Sequence, residues 1–290
     1  MRRPARSAAG GYRWTALITK PRRHIMDQDS PYARIQTADP EQRGRIYAEI
    51  YEGNLARIEA DAAELIRQPI ARRRHRLSIY SRIIGAGHAA ILELGCGSGD
   101  LTSVLASLAQ RVVGIDLSAA SLIAARRRAD AQLPPVTAAR IEFLKMNAVR
   151  PQFPDQTFDY AVSTSMVEHL HPEDVDIHLR EVWRVLKPGG RYLIWCPNRL
   201  GHHKDRPYHL SMMSYSDLMA RMRRAGFSDF VSPLFRKPPM VDARFKIFLE
   251  EALSRLRVGM LWSHLGVRNV LLVAAKPATT SPPRVEPREG

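Results

Sequence analysis

Three glycines at alternate positions, Gly95, Gly97 and Gly99, follow directly on a short apolar segment of the chain. The apolar run in residues 90–94 predicts a buried strand, and a helical pattern begins at Asp100. Glycine lets a backbone adopt positive φ and approach a ligand closely. In open α/β sheets, a strand, a glycine turn and a helix in this order hold a nucleotide-like ligand. The segment therefore predicts an α/β fold with a ligand-binding turn.

The glycine turn differs from the fingerprint of dinucleotide-binding proteins. That fingerprint has Gly or Ala at its sixth position, where the small residue packs the helix on the strand. The sixth position here is Asp100, whose carboxylate a pyrophosphate would repel. Glu93 lies two residues before the first glycine, where it can accept a hydrogen bond from a cationic ligand group. The turn therefore argues against a dinucleotide.

A second predicted strand ends in an acidic residue. Residues 111–116 read as a buried strand, and Asp116 lies 21 residues after Gly95. In nucleotide-binding folds, a carboxylate at a spacing of ~20 residues holds the ribose hydroxyls. The alternative is that Asp116 caps the next helix, although Ser118 could supply that cap instead.

Strands and helices continue to alternate along the chain, which is typical of a mostly parallel sheet. Further strands are predicted at residues 141–145, 158–163, 191–196, 227–235 and 269–275. Helices are predicted near residues 100–109, 118–130, 174–187 and 214–224. Before the first strand, Asp39 and Pro40 mark a helix start, and another helix is predicted at residues 70–84.

The pattern of acid, x, Gly, x, Gly, x, Gly that begins at Glu93 resembles the first motif of class I S-adenosylmethionine-dependent methyltransferases. Residues 186–190, Leu-Lys-Pro-Gly-Gly, match a turn of the same family, and the resemblance covers roughly residues 88–230. It implies a Rossmann-like, mostly parallel sheet of seven strands whose last strand is antiparallel, with helices on both faces. It also implies S-adenosylmethionine as the cofactor, with the glycine turn against its methionine part.

The resemblance assigns cofactor contacts to positions along the first four strands. Asn147 stands where the family often has an acid that binds the adenine amino group, and an asparagine oxygen can accept the same bond. The predicted cofactor-binding residues are Glu93, Gly95, Cys96, Gly97, Gly99, Asp116, Leu117, Asn147, Ala148 and Ser163.

Two histidines are the candidates for a catalytic base, because histidine titrates near neutral pH. The Glu168-His169 pair recurs in small-molecule O-methyltransferases, including ubiquinone-biosynthesis types; His169 could also simply shape the pocket. Some of those enzymes bind a divalent metal through an extra acid three residues before the Glu. That position is Ser165 here, so no metal is predicted. A His-Leu before the next helix faces the substrate in similar methyltransferases, which favours His209 as the base.

Charge and composition suggest how the chain is organised around this core. The net charge is +15, and the first 25 residues contain seven basic residues and no acid. Residues 1–25 are predicted to be a disordered basic extension, with translation from Met26 as an alternative. Residues 26–87 are predicted to form a helical lid, and 88–276 the cofactor-binding domain, with a helical insertion at 236–267. Residues 277–290 are predicted to be a disordered tail.

The same properties limit the partners. Two cysteines fit a reducing cytoplasm, and no apolar run approaches the ~20 residues that span a bilayer. We expect a cytoplasmic methyltransferase that acts on oxygen of a small molecule, lipid intermediate or glycan. RNA methylation is an alternative, because basic clusters at residues 72–76, 126–128 and 221–224 would favour an anionic partner if they shared a face. A basic module that binds the cofactor without catalysis is another.

Overall fold

The computed structural model of the protein describes residues 30–52, 70–200, 208–233, 240–256 and 267–279. The predicted basic extension at residues 1–25 and most of the predicted tail lie outside the described residues, so both remain predictions.

Helices and strands alternate along the described ranges. The helices are α1 (Pro31–Thr37), α2 (Pro40–Glu52), α3 (Ile70–Ile84), α4 (Thr102–Leu105), α5 (Ala119–Gln132), α6 (Pro135–Ala138), α7 (Pro172–Val185), α8 (Tyr215–Arg224) and α9 (Ala243–Leu256). The strands are β1 (His88–Leu94), β2 (Ala109–Asp116), β3 (Ile141–Lys145), β4 (Phe158–Thr164), β5 (Leu186–Pro197), β6 (Ser228–Pro233), β7 (Met240–Asp242) and β8 (Asn269–Ala275). A 3₁₀ turn spans Val167–His169.

The strands form one sheet in the order β3-β2-β1-β4-β5-β8-β6-β7. Strands β1 to β5 pair in parallel, whereas β8 runs antiparallel to both of its neighbours, β5 and β6. The predicted α/β fold, with an antiparallel last strand, is therefore confirmed. The predicted count of seven strands is one too few, because β7 adds an eighth strand at the edge, within residues predicted as a helical insertion. Three residues are too few to show the alternation that marks a strand.

Helices cover both faces of the sheet, as predicted. Leu92 and Ile91 are fully buried and belong to two different apolar clusters, because successive side chains of a strand point to opposite faces. The cluster around Leu92 includes buried residues of α1, α2, α7 and α8. The cluster around Ile91 includes buried residues of α3, α4, α5 and α6. Burial on both faces explains why Ile91 and Leu92, which are neighbours in β1, are both apolar.

Two elements differ most in their boundaries from the sequence-based prediction. The helix predicted near residues 100–109 is only Thr102–Leu105, because the chain enters β2 at Ala109. The turn predicted at residues 186–190 lies inside β5, which starts at Leu186. Partners of β4 jump from Leu186 to Arg191, so the residues between them form a bulge.

A buried polar cluster docks α2 on α7. Arg43 Nε donates to Asp174 Oδ2 at 2.8 Å, and Arg43 Nη2 donates to Asp174 Oδ1 at 2.9 Å. The Tyr47 hydroxyl donates to the same carboxylate at 2.9 Å and accepts from the His171 backbone N–H at 2.7 Å. These contacts hold the N-terminal helices beside the loop that follows β4. In the described part of the chain, no helix has the length and apolarity needed to cross a bilayer.

Candidate functional site

One cavity of about 650 Å³ opens at the carboxyl ends of the central parallel strands. Its walls come from the turns that follow β1, β2, β3 and β4, and residues of α1 and α2 cover it together with Tyr208 and His209. Open α/β sheets bind ligands at this edge, because the loops there diverge to either face of the sheet. The cavity is therefore the candidate site.

The glycine turn exposes its backbone to the cavity beside Asp116. Gly97 has a φ of +51°, and a Cβ placed on it would meet nothing within 4 Å. Its N–H donates to Asp116 Oδ2 at 2.9 Å, and the Ser118 N–H donates to Oδ1 at 2.9 Å. Burial nevertheless raises the pKa of Asp116. Each carboxylate oxygen has a second lone pair, so Asp116 can still accept bonds from a ligand's hydroxyls.

Asn147 and Ala148 form the adjoining wall after β3. The Asn147 Oδ1 accepts the Val149 N–H at 2.8 Å, which fixes the side-chain amide. A Cβ on Gly44 of α2 would lie only 3.2 Å from Asn147 Nδ2, so α2 closely approaches this turn. The oxygen retains a lone pair for a ligand donor.

Six of the ten predicted cofactor contacts line the cavity, and four do not. The lining residues are Gly95, Gly97, Asp116, Leu117, Asn147 and Ala148. The residues behind the wall are Glu93, Cys96, Gly99 and Ser163.

Each of the four residues behind the wall has a local structural partner. Glu93 Oε2 accepts from the Thr102 hydroxyl at 2.5 Å, and Ser163 Oγ lies 2.8 Å from the Tyr192 hydroxyl. The Cys96 Sγ lies 3.1 Å from where a Cβ on Gly114 would stand, and a Cβ on Gly99 would lie 2.8 Å from the Ala125 Cβ. Their side chains thus support the turns that line the cavity, so direct cofactor contact remains only a prediction for them.

The opposite wall carries both predicted bases. His169 Nδ1 lies 2.9 Å from the Tyr208 carbonyl oxygen, which can only accept, so Nδ1 carries the proton. Burial lowers the pKa of His169, so the ring is neutral and its Nε2 has a free lone pair. The His209 ring centroid lies 5.1 Å from that of His169. The structure therefore brings the two candidates together.

Glu168 was not among the predicted site residues. It lines the cavity at 1% exposure, and its Oε1 lies 3.9 Å from His169 Nε2. Burial raises the pKa of Glu168 to about 7. The Glu-His pair was visible in the sequence, but nothing there indicated that the carboxyl group is buried.

Tyrosines that the sequence analysis also missed complete this wall. Tyr208 stacks on His169 with centroids 5.8 Å apart and planes at 20°, and Tyr51 meets the same ring edge-on at 6.3 Å. Tyr32 lies 6.4 Å from Tyr208. In the sequence, Tyr47 and Tyr51 are four residues apart, which places both on one face of a helix. This spacing could have indicated that tyrosines line a common surface.

Glu168, His169 and His209 each offer one ligand atom within 4.8 Å of the others, so a cation could be held here after local adjustment. A bound Zn²⁺ would require ligand atoms at about 2.0–2.2 Å from the metal. The expectation that the site has no metal stays a prediction.

Comparison with known proteins identifies the region around the glycine turn. Residues 91–190 match the family model of a methyltransferase domain. A probable S-adenosylmethionine-dependent methyltransferase of Mycolicibacterium smegmatis is 31% identical over 162 residues, which is 53% of this chain and 58% of that protein. The 2-phytyl-1,4-naphtoquinone methyltransferase of Thermosynechococcus vestitus is 39% identical over 109 residues, 37% of this chain and 45% of that protein. The chain thus spans about half the length of these relatives.

A solved structure shares the fold over most of the described chain. One chain of a complex that contains the Haloferax volcanii Trm112 methyltransferase activator superposes with a TM-score of 0.55 at 18% identity. The match covers 81% of this chain and 99% of that one.

Proposed function

We propose that the chain, whose residues 91–190 match the family model of a methyltransferase domain, is a class I S-adenosylmethionine-dependent methyltransferase that methylates an oxygen of a small-molecule or lipid-type acceptor. One observation carries the proposal. A single cavity has the glycine turn and Asp116 on one wall, and His169, His209 and the tyrosines on the other.

The first wall fits the cofactor. The exposed backbone at Gly97 would lie against the methionine part, since no side chain stands over it. The Asp116 carboxylate would accept bonds from the ribose hydroxyls, and Asn147 with Ala148 would face the adenine. When bound, S-adenosylmethionine supplies an electrophilic methyl group on a sulfonium.

The second wall fits an acceptor with apolar or aromatic surface. Tyr32, Tyr51 and Tyr208 present rings rather than charges, and burial raises the pKa of Tyr51, which keeps it neutral. Aromatic surfaces bury large areas and stack on planar groups. A relative named for a phytyl-naphthoquinone substrate agrees with this chemistry.

The protein's share of the reaction is positioning and proton removal. Holding the acceptor oxygen in line with the methyl carbon can lower the barrier by ~7–11 kcal/mol. Methylation of a hydroxyl oxygen would require the acceptor to give up its proton to a group of the protein. We propose His209 as the group that takes it, with His169 Nε2 as the alternative; such a base contributes ~10²–10⁴-fold.

RNA is less well supported as an acceptor, because arginines of two basic clusters are engaged within the protein. Arg126 donates to the Ala138 carbonyl oxygen at 3.3 Å, and Arg221 pairs with Asp176 at 2.7 Å. Side chains used in this way contribute less to a common anion-binding face.

The test has two stages. Titration calorimetry of the full chain with S-adenosylhomocysteine should show binding at one site per chain. Methyl-labelled S-adenosylmethionine should then label a component of a lipid or small-molecule extract, and not of purified RNA. Absence of binding would refute the proposal, and labelling of RNA alone would replace the acceptor class.

A further inference from the structure

A chain of buried hydrogen bonds runs behind the cavity wall from β4 to the turn after β3. Ser163 Oγ lies 2.8 Å from the Tyr192 hydroxyl, which lies 2.7 Å from His178 Nε2. His178 Nδ1 lies 2.6 Å from the Ala148 carbonyl oxygen. The side chains of Ser163, Tyr192 and His178 are all fully buried.

The chemistry of the groups settles the direction of every bond. The Ala148 carbonyl only accepts, so His178 Nδ1 carries a proton. Burial lowers the pKa of His178 to about 4, so the ring is neutral and Nε2 accepts from the Tyr192 hydroxyl. Tyr192 has then used its proton, and Ser163 must be the donor to it. We call this directed series, Ser163 to Tyr192 to His178 to Ala148, the buried relay.

The buried relay ends on backbone that lines the proposed cofactor wall. Its last bond holds the carbonyl of Ala148, and the Asn147 side chain holds the Val149 N–H on the other side. The turn is thus tied from two directions, one of them through three buried polar side chains. Burying such groups costs free energy that apolar residues would avoid, so the useful result is a fixed geometry.

We propose that His178 and Tyr192 are positioning residues for the adenine half of S-adenosylmethionine, an inference that rests on the proposed function. They hold the 147–148 backbone in the arrangement that meets the purine, and neither contacts the cofactor. Loss of the relay should loosen this wall and weaken cofactor binding, while the reacting groups on the other wall are unchanged.

The chain offers a matched control for removing the Tyr192 hydroxyl. Tyr160 is also a buried tyrosine of a central strand, but it packs on the opposite face of the sheet. Its hydroxyl has no hydrogen-bond partner among the described residues. Tyr160→Phe therefore removes a buried hydroxyl outside the relay, whereas Tyr192→Phe removes one within it.

The experiment measures the Kd of S-adenosylhomocysteine and of 5′-methylthioadenosine, which keeps the adenosine and the sulfur but lacks the amino-acid part. We expect Tyr192→Phe to raise both values by about tenfold, since the relay loses both hydrogen bonds of the Tyr192 hydroxyl, to Ser163 and to His178. Tyr160→Phe should leave both within twofold. His178→Leu should act more strongly than His178→Asn, whose amide can still donate to the Ala148 carbonyl.

Measurements of turnover distinguish a positioning role in cofactor binding from a general structural defect. At saturating cofactor, Tyr192→Phe should keep kcat and the acceptor KM within about twofold of the unmutated protein. Equal losses in Tyr192→Phe and Tyr160→Phe, or a loss with S-adenosylhomocysteine but not with methylthioadenosine, would overturn the inference. Unchanged affinity in Tyr192→Phe would also overturn it and leave the proposed function intact. Failure of the unmutated chain to bind S-adenosylhomocysteine would instead overturn the proposed function.

Discussion

At the scale of single residues, Asp116 joins the two turns that open the proposed cofactor wall. Its carboxylate accepts from the N–H of Gly97 after β1 and from the N–H of Ser118 before α5. The residue therefore both fixes the glycine turn and presents its remaining lone pairs to the cavity. Both roles use the two acceptor oxygens of a charged carboxylate, so a neutral side chain, with one acceptor oxygen fewer and no charge, weakens both together.

Replacing Asp116 by asparagine should raise the Kd of S-adenosylhomocysteine at least about 30-fold. This corresponds to a loss of about 2 kcal/mol, the value of hydrogen bonds to a charged group. Calorimetry measures the change. Asp130→Asn, an exposed carboxylate on α5, is the control and should bind as the unmutated protein does. Unchanged affinity in Asp116→Asn would refute the ribose assignment.

The two histidines can be separated by turnover. His209→Ala should lower kcat by about 10²–10⁴-fold without changing the Kd of S-adenosylhomocysteine, because a base acts only in the transition state. His169→Ala is the comparison at the same wall. If His209→Ala keeps full turnover while His169→Ala loses it, the proton acceptor is His169.

At the scale of elements, the buried contact between α2 and α7 decides whether the N-terminal helices stay over the cavity. Arg43 and Asp174 retain 3% and 1% side-chain exposure, and Tyr47 bonds to the same carboxylate. A buried ion pair adds little net stability when intact, but a lone buried charge is costly. Removing one partner is therefore the informative change.

Asp174→Ala should destabilise the protein by about 3–5 kcal/mol, because it leaves the Arg43 guanidinium buried without its main partner. Urea denaturation measures this free energy of unfolding. Arg45→Ala, which breaks the exposed Arg45–Glu41 pair, should change it by less than about 1 kcal/mol. Equal effects from the two variants would show that α2 is not held by the buried pair.

At the scale of the whole molecule, the titration of His178 makes the free energy of unfolding depend on pH. Burial lowers the pKa of His178 to about 4, below its usual value of 6.5. Between these values the unfolded chain binds a proton that the native state does not, so stability is lost as the pH falls below about 6.5. Glu168 acts in the opposite direction, because burial raises its pKa to about 7.

Comparison of the unmutated protein with His178→Leu isolates the histidine from the other titrating groups. Between pH 7 and pH 5, the unmutated protein should lose about 2 kcal/mol more stability than the variant does. Urea denaturation at the two pH values measures this difference. Parallel losses in the two proteins would show that His178 titrates normally in the native state.

Local patterns in the sequence were enough to predict seven of the eight strands and most of the residues that line the proposed cofactor wall. The apolar run before Gly95, the acid at the end of β2 and Asn147 after β3 each depend on neighbours within a few residues. Parallel strands place their carboxyl ends at one edge, so these residues had to meet once the strands were recognised. The sequence predicted direct cofactor contacts for Glu93 and Ser163, but both side chains lie behind the wall. Local patterns could not indicate this position, since it depends on packing.

Only the tertiary structure decided how the second wall and its supports are assembled. The short strand β7 and the docking of α2 by Arg43 on Asp174, 131 residues away, leave no periodic trace in the sequence. The buried relay and the ring contact between Tyr32 and Tyr208 likewise leave no periodic pattern in the sequence. Sequence by itself therefore determined most of the fold and the glycine turn of the proposed cofactor wall, because those depend on local backbone preference. The second wall, which we propose holds the acceptor, arises from side chains distant in the chain, whose contacts are selected by packing and burial.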